Sequence, residues 1–163
     1  MKLRGFTIIE LIIVITIMGI LLILGVVNLR GSQANARDDE RKGDVGAIAL
    51  NLEGYYKGVN DTGGVGTYPS TTSSDASNEL ITTYLPDIDI KSLLAPGVND
   101  PDKSFISAID NNAQTPTISQ YMYQPLQSSG ALCTSILQGC RKFNIYYRLE
   151  TDNTVYKITS KNQ

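Results

Sequence analysis

Between Phe6 and Val27, 17 of 22 residues are apolar and the only charged side chain is Glu10. Coiled as a helix at 1.5 Å per residue, this stretch is about 33 Å long and matches the ~30 Å hydrocarbon core of a bilayer. In water it would expose apolar surface all round, so a membrane or a packed bundle must receive it. The 163-residue chain is otherwise polar, and what remains suffices for one compact body. Three readings fit the apolar stretch itself. A signal anchor accounts for its length and for Lys2 and Arg4 before it. A cleaved secretory signal finds a small-residue site at Ala34-Asn35-Ala36, although its core is usually shorter. The third reading turns on Glu10.

A carboxylate within an apolar helix costs roughly 2.5–3.5 kcal/mol near the bilayer centre and less towards an end. Glu10 lies four residues past Phe6, about 6 Å along the axis, and could simply snorkel to the interface. Alternatively its partner lies outside its own helix. If the chain began at Phe6, the new amine would carry the right charge. It could not easily serve its own Glu10, because both sit by the positive pole of one helix. A neighbouring copy shifted along the axis could bring its Phe6 amine to Glu10. Such a pair adds little net stability but punishes misalignment, which suits selection of register.

Lys2-Leu-Arg-Gly5-Phe6-Thr-Ile-Ile-Glu10-Leu resembles the class III signal sequence of type IV pilins and type II secretion pseudopilins. The resemblance implies a leader of residues 1–5, a helix at 6–27 for membrane and filament core, its amphipathic continuation at 28–59, and a globular body at 60–163. It implies cleavage between Gly5 and Phe6 by a prepilin peptidase, N-methylation of Phe6, and a role for Glu10 in assembly and register. The implied partners are further copies in a helical filament, the peptidase and methyltransferase, a membrane assembly platform, and lipid before assembly. The precursor would cross the cytoplasmic membrane once, N-terminus inside, and end in a surface or extracytoplasmic filament. Two features depart from this pattern. The flanking basics favour the body side (Arg30, Arg37, Arg41, Lys42), against a simple positive-inside count; long domains translocate largely regardless, and Asp38, Asp39 and Glu40 interleave. Val27 stands where related chains carry a kinking proline, leaving Gly19 and Gly25 as the weak points of the helix.

From Asn28 to Lys42 the sequence turns polar without a proline, so the helix can continue. Arg37-Asp-Asp-Glu-Arg-Lys42 reads first as a solvated face and second as a contact between neighbours. Val45, Ile48, Leu52, Tyr55, Tyr56 and Val59 recur at steps of three and four, which predicts a helix face packed on a sheet. Gly58 to Gly66 supplies turn formers, and the glycines lack the Gly-Lys-Ser/Thr ending of a phosphate loop. Tyr55-Tyr56, the glycine turn and Tyr68-Pro69-Ser70 extend the resemblance, more loosely, to about the first seventy residues. Ser77–Leu85 predicts a short helix stopped by Pro86. Asp87, Asp89, Asp100 and Asp102 read as turn residues; they do not complete a calcium loop, and Lys91 and Lys103 stand beside them.

Strand-like alternation covers Ile118–Tyr123, Phe143–Leu149 and Thr154–Thr159, the last two joined through Thr151-Asp-Asn153 as a hairpin. The expected fold is α+β: a long N-terminal helix packed by its C-terminal half on a small antiparallel sheet. Cys133 and Cys140 predict a disulfide in an exported body, with a pair of reduced core thiols as the alternative. The chain has no histidine, so the usual acid–base group and commonest metal ligand are missing, and a cysteine nucleophile would lack its activator. No carboxylate pair stands out; the expectation is a structural subunit with no catalytic site, no metal and no cofactor. Side-chain charge is 14 − 16 = −2, and 12 − 16 = −4 without Lys2 and Arg4, which disfavours nucleic acid as a partner. Every N-terminal feature is shared by a pseudopilin of type II secretion. A plain anchored binding protein needs neither cleavage at Gly5 nor a partner for Glu10.

Overall fold

The computed structural model describes residues 6–58, 66–70 and 80–162. A single helix, α1, runs through Ile8–Lys57 without a break, 50 residues in all. Ile8 to Val26 lie in solvent on every side, Ile8 at 79% and Leu22 at 70% exposure. Such an isoleucine-rich segment holds its helix poorly in water, but in lipid every backbone polar group must be satisfied within the segment. Thr16 obeys the same rule, its hydroxyl donating to the Ile12 carbonyl at 2.7 Å. The helix ends where expected. Gly58 is extended, and its N–H donates to the carbonyls of Gly54 and Tyr55.

The C-terminal half of α1 lies on a four-stranded sheet built from β1 (Phe105–Ser107), β2 (Tyr121–Leu126), β3 (Lys142–Arg148) and β4 (Val155–Thr159), in that spatial order. A four-residue helix, α2 (Pro101–Ser104), leads into β1. The class is α+β with the helix packed on the sheet, as anticipated. The sheet, however, is mixed: β2, β3 and β4 are antiparallel neighbours, whereas β1 pairs parallel to β2, Phe105 opposite Tyr121. Three residues are too few to show alternation, which is why β1 leaves no trace in the sequence.

The first anticipated strand is displaced. Ile118–Gln120 forms a turn, closed by the Gln120 N–H on the Thr117 carbonyl, and β2 instead runs on through Pro125. Proline is tolerated there because this position points away from β3. The Pro125 carbonyl accepts from the Cys133 N–H at 2.9 Å, so the missing N–H removes no β2–β3 bond. The β3–β4 hairpin is as expected, closed from the Leu149 N–H to the Thr154 carbonyl, with Asn153 in the left-handed region at φ 55°.

Val45, Ile48 and Leu52 of α1 are fully buried, against Tyr121, Tyr123, Phe143 and Ile145 of the sheet. Tyr55 and Tyr56 pack at the margin of this core; Val59 lies outside the described residues. The aromatic rings interlock edge to face, Tyr68 on Phe143 at 4.8 Å between centroids and Tyr55 on Tyr84 at 5.8 Å. Of the short helix expected before Pro86, the described part is a single wide π-turn at Leu80–Tyr84. The turn expected over Gly58–Gly66 is described only at its two ends. Gly66 sits at φ +87°, its carbonyl accepting from Arg141 Nη1 at 2.6 Å. Cys133 and Cys140, both buried, are joined as a disulfide across the β2–β3 connection. Asp89 and Asp100 cap the turns that follow them, as read from the sequence, and Asp100 also pairs with Lys103 at 2.9 Å.

Candidate functional site

At the start of α1, Phe6 is 89% exposed and Gly5 lies outside the described residues. Thr7 is extended (φ −85°, ψ 152°) and caps the helix. Its N–H and its hydroxyl both donate to Glu10 Oε2 at 2.9 Å, while the Glu10 N–H donates to the Thr7 hydroxyl at 3.3 Å. This is a reciprocal capping box, in which side chains satisfy two backbone N–H groups that a helix N-terminus leaves unpaired. The reading of Glu10 as an acid whose partner must come from outside therefore omitted a local role. The Thr7-x-x-Glu10 spacing could have revealed it. The box occupies one oxygen only. Glu10 Oε1 accepts no hydrogen bond among the described residues.

The body takes hold of α1 at Arg37–Arg41, where the sequence reading of a solvated face is wrong for two residues. Asp38 and Arg41 are each 2% exposed. Asp38 Oδ1 accepts from Arg41 Nη1 and from the Glu150 N–H, both at 2.8 Å; Oδ2 accepts from the Thr151 hydroxyl at 2.7 Å and its N–H at 3.0 Å. Arg41 Nε reaches the Ile118 carbonyl at 3.1 Å. Arg37 grips Glu150 with both prongs of its guanidinium, at 2.6 and 2.8 Å. Burial alone would push the Asp38 carboxyl up. The donors from Glu150, Thr151 and Arg41 outweigh it and hold the group below its usual range. Charge spacing on a helix resembles a solvated face whether or not a hairpin tip lands on it, so only the tertiary fold separates the cases. Asp39, Glu40 and Lys42 are exposed as expected.

Two further carboxylates join α1 to the body. Glu53, buried, accepts from the Tyr68 hydroxyl, the Lys161 N–H and Asn162 Nδ2, at 2.7–3.0 Å, and so pins the chain's last described residues to the helix. Asp44 accepts from the Tyr121 hydroxyl at 2.9 Å. Burial, aided by the charges of Glu40 and Asp89, pushes its carboxyl up to about 6 despite that bond. Every one of these groups is tied into the fold, and among the described residues no set of His, Cys, Asp and Glu converges on a metal-sized site. The hollows along Met18–Leu29 are open apolar helix surface.

The described chain thus offers a helix long and apolar enough to cross a membrane, an N-terminus with a capped Glu10, and a body clamped to the far half of the same helix. Residues 1–26 match the family described as the prokaryotic N-terminal methylation motif. The chain matches no curated protein and no solved structure. Its first 26 residues are accordingly a prokaryotic N-terminal methylation motif, the class III signal that is the hallmark of type IV pilins and pseudopilins.

Proposed function

We propose that this chain is the precursor of a structural subunit of a type IV pilus-like filament. Residues 1–5 form the leader, 6–27 enter membrane and then filament core, 28–59 carry the helix on to its stop at Gly58, and 60–163 form the body. A prepilin peptidase cleaves between Gly5 and Phe6, and the new Phe6 amine is methylated. The apolar helices, held in the cytoplasmic membrane with the body outside, then exchange lipid for one another. The observation that carries this reading is the methylation motif at 1–26, continuous with an exposed apolar helix that runs unbroken into a folded body.

In this reading Glu10 serves twice. Oε2 caps its own helix, and the free Oε1 receives the Phe6 amine of a neighbour. The two roles separate by substitution, because glutamine also completes a capping box but carries no charge. Glu10→Gln should leave a processed, membrane-held subunit that fails to enter filaments; normal filaments from it would reduce Glu10 to a cap. The reading as a whole is tested by mass spectrometry of the mature protein, which should begin at Phe6 and carry one added methyl group. A first residue of Met1 or Arg37 would overturn it in favour of a plain anchor or a secreted protein. Comparing surface filaments with secreted proteins after gene deletion separates a pilus from a type II secretion pseudopilus.

A further inference from the structure

Of the described arginines, all but one are held by their own chain. Arg37 grips Glu150, Arg41 pairs with Asp38, Arg141 donates to the Gly66 carbonyl at 2.6 Å, and Arg148 donates to the Pro116 and Asn153 carbonyls at 2.8 Å. Arg30 is the exception. It is exposed, and among the described residues no hydrogen bond or ion pair holds its guanidinium. It is also the only charged side chain on α1 between Glu10 and Arg37. It lies 20 positions beyond Glu10, about 30 Å of helix, which equals the thickness of the hydrocarbon core of a bilayer. The two charges of this stretch therefore stand one at each edge of such a slab. Arg30 lines the same open hollow as Leu22, Ile23 and Val26. A helical side chain leans over the turn before its own Cα, so the methylenes of Arg30 extend this apolar surface and its guanidinium ends it.

We infer that Arg30 binds a membrane phospholipid, its guanidinium taking the headgroup phosphate while an acyl chain of the same lipid lies along Leu22, Ile23 and Val26. With Ile8 at one edge of the hydrocarbon, the Arg30 Cα stands about 3 Å beyond the other, at the level of the headgroups. A planar guanidinium presents paired N–H donors at the spacing of two phosphate oxygens, and it is more weakly hydrated than an ammonium. Its own chain offers no rival acceptor nearby. Asp38, the nearest acid towards the body on α1, lies about 12 Å further along the axis and is already paired with Arg41. The hollow points to the same occupant, because a free anion would leave it in water, whereas a ligand with a charged head and an apolar tail covers both parts. The two ends of the span thus differ in chemistry. Glu10 repels phosphate and is turned into its own cap, so Arg30 is the end that fixes the depth of the helix in the lipid.

The inference rests on the reading of residues 6–27 as a membrane helix, and the experiment keeps the two apart. The full-length chain, carrying 13C at its arginine guanidino carbons, is reconstituted into vesicles of phosphatidylethanolamine and phosphatidylglycerol in a buffer free of phosphate. Dephasing of those carbons by 31P is then measured by solid-state nuclear magnetic resonance, so that lipid is the only source of phosphorus. The chain has six arginines, and the wild type is expected to show one dephased carbon beyond any contributed by Arg4. Arg30→Gln should lose that component entirely while remaining in the vesicles after a carbonate wash. Equal dephasing in the two proteins, with both held in the membrane, would overturn the phosphate contact alone. A wild-type chain that carbonate removes from the vesicles would overturn the membrane-helix reading beneath it.

Discussion

Removing the Asp38 carboxylate is the most informative single perturbation of the body. Asp38 receives four donors, from Arg41, Glu150 and Thr151, and Arg41 is itself 2% exposed with, among the described residues, the Ile118 carbonyl and Glu150, at 3.7 Å, as its other close polar partners. In Asp38→Ala the guanidinium is left charged and largely uncompensated, and two backbone N–H groups of the hairpin lose their acceptor. Breaking a buried pair from one side costs about 3–5 kcal/mol. For a chain of 163 residues each kcal/mol is worth about 2–4 °C of melting temperature, which predicts a fall of about 6–20 °C. The assay is thermal unfolding of the full chain in non-ionic detergent with the disulfide intact, followed by the near-ultraviolet circular dichroism of the buried tyrosines. Asp38→Ala/Arg41→Met removes the stranded charge and should recover at least half of the loss, since replacing both members of a buried pair is often neutral. A single variant within about 1 kcal/mol of wild type, or a double variant no better than the single, would refute the clamp.

Asp44 is held at about 6 against an ordinary 3.8, so the folded body binds its proton more tightly than the unfolded chain. The stability this gives is complete below pH ~4 and is lost as pH rises through about 6. Asp44→Asn should therefore flatten the pH dependence of melting between pH 4 and 7 and, after allowance for solvent screening, stabilise the body at pH 8 by about 1 kcal/mol; an unchanged profile contradicts this. A Cβ at Gly54 meets nothing within 4 Å, and Gly54→Ala should raise stability by about 0.5–1 kcal/mol. At Gly66 a Cβ would stand 2.9 Å from Arg141 Nη1 on a backbone at φ +87°, so Gly66→Ala should lower it by about 1–3 kcal/mol. Both are read as melting shifts, and equal effects at the two glycines would remove the distinction. Replacing Cys133 and Cys140 by serine opens a short loop and should cost about 2–3 kcal/mol in denaturant titrations, with no effect on processing at Phe6.

The parts legible in the sequence are those whose signal is local. The apolar run, the helix face Val45–Ile48–Leu52, the stop at Gly58, the β3–β4 hairpin and the cysteine pairing each follow from spacing or from one residue's chemistry. What escaped depends on partners distant in the chain. β1 is a strand only because β2 offers a ladder, and Pro125 belongs to β2 only because its missing N–H faces away from β3, toward Cys133, which needs only the Pro125 carbonyl. Asp38 is buried only because residues 150 and 151 land on it, 112 and 113 positions away. The Glu10 cap is a different omission. Its pattern is local, Thr7-x-x-Glu10, but the cost of a charge in lipid points equally to a partner outside the helix, and the two roles share one side chain.

Among the described residues of α1 beyond Gly19, Ala34 is the first that is not fully exposed, 26 positions beyond Ile8. At 1.5 Å each, that is a bare stem of about 39 Å, against a hydrocarbon slab of ~30 Å. Seated in a bilayer with Ile8 at one edge of the hydrocarbon, the folded part would begin about 9 Å beyond the other edge, at the level of the headgroups. On the filament reading proposed above, such a stem leaves the lipid by rising along its own axis, with the body already folded at the surface.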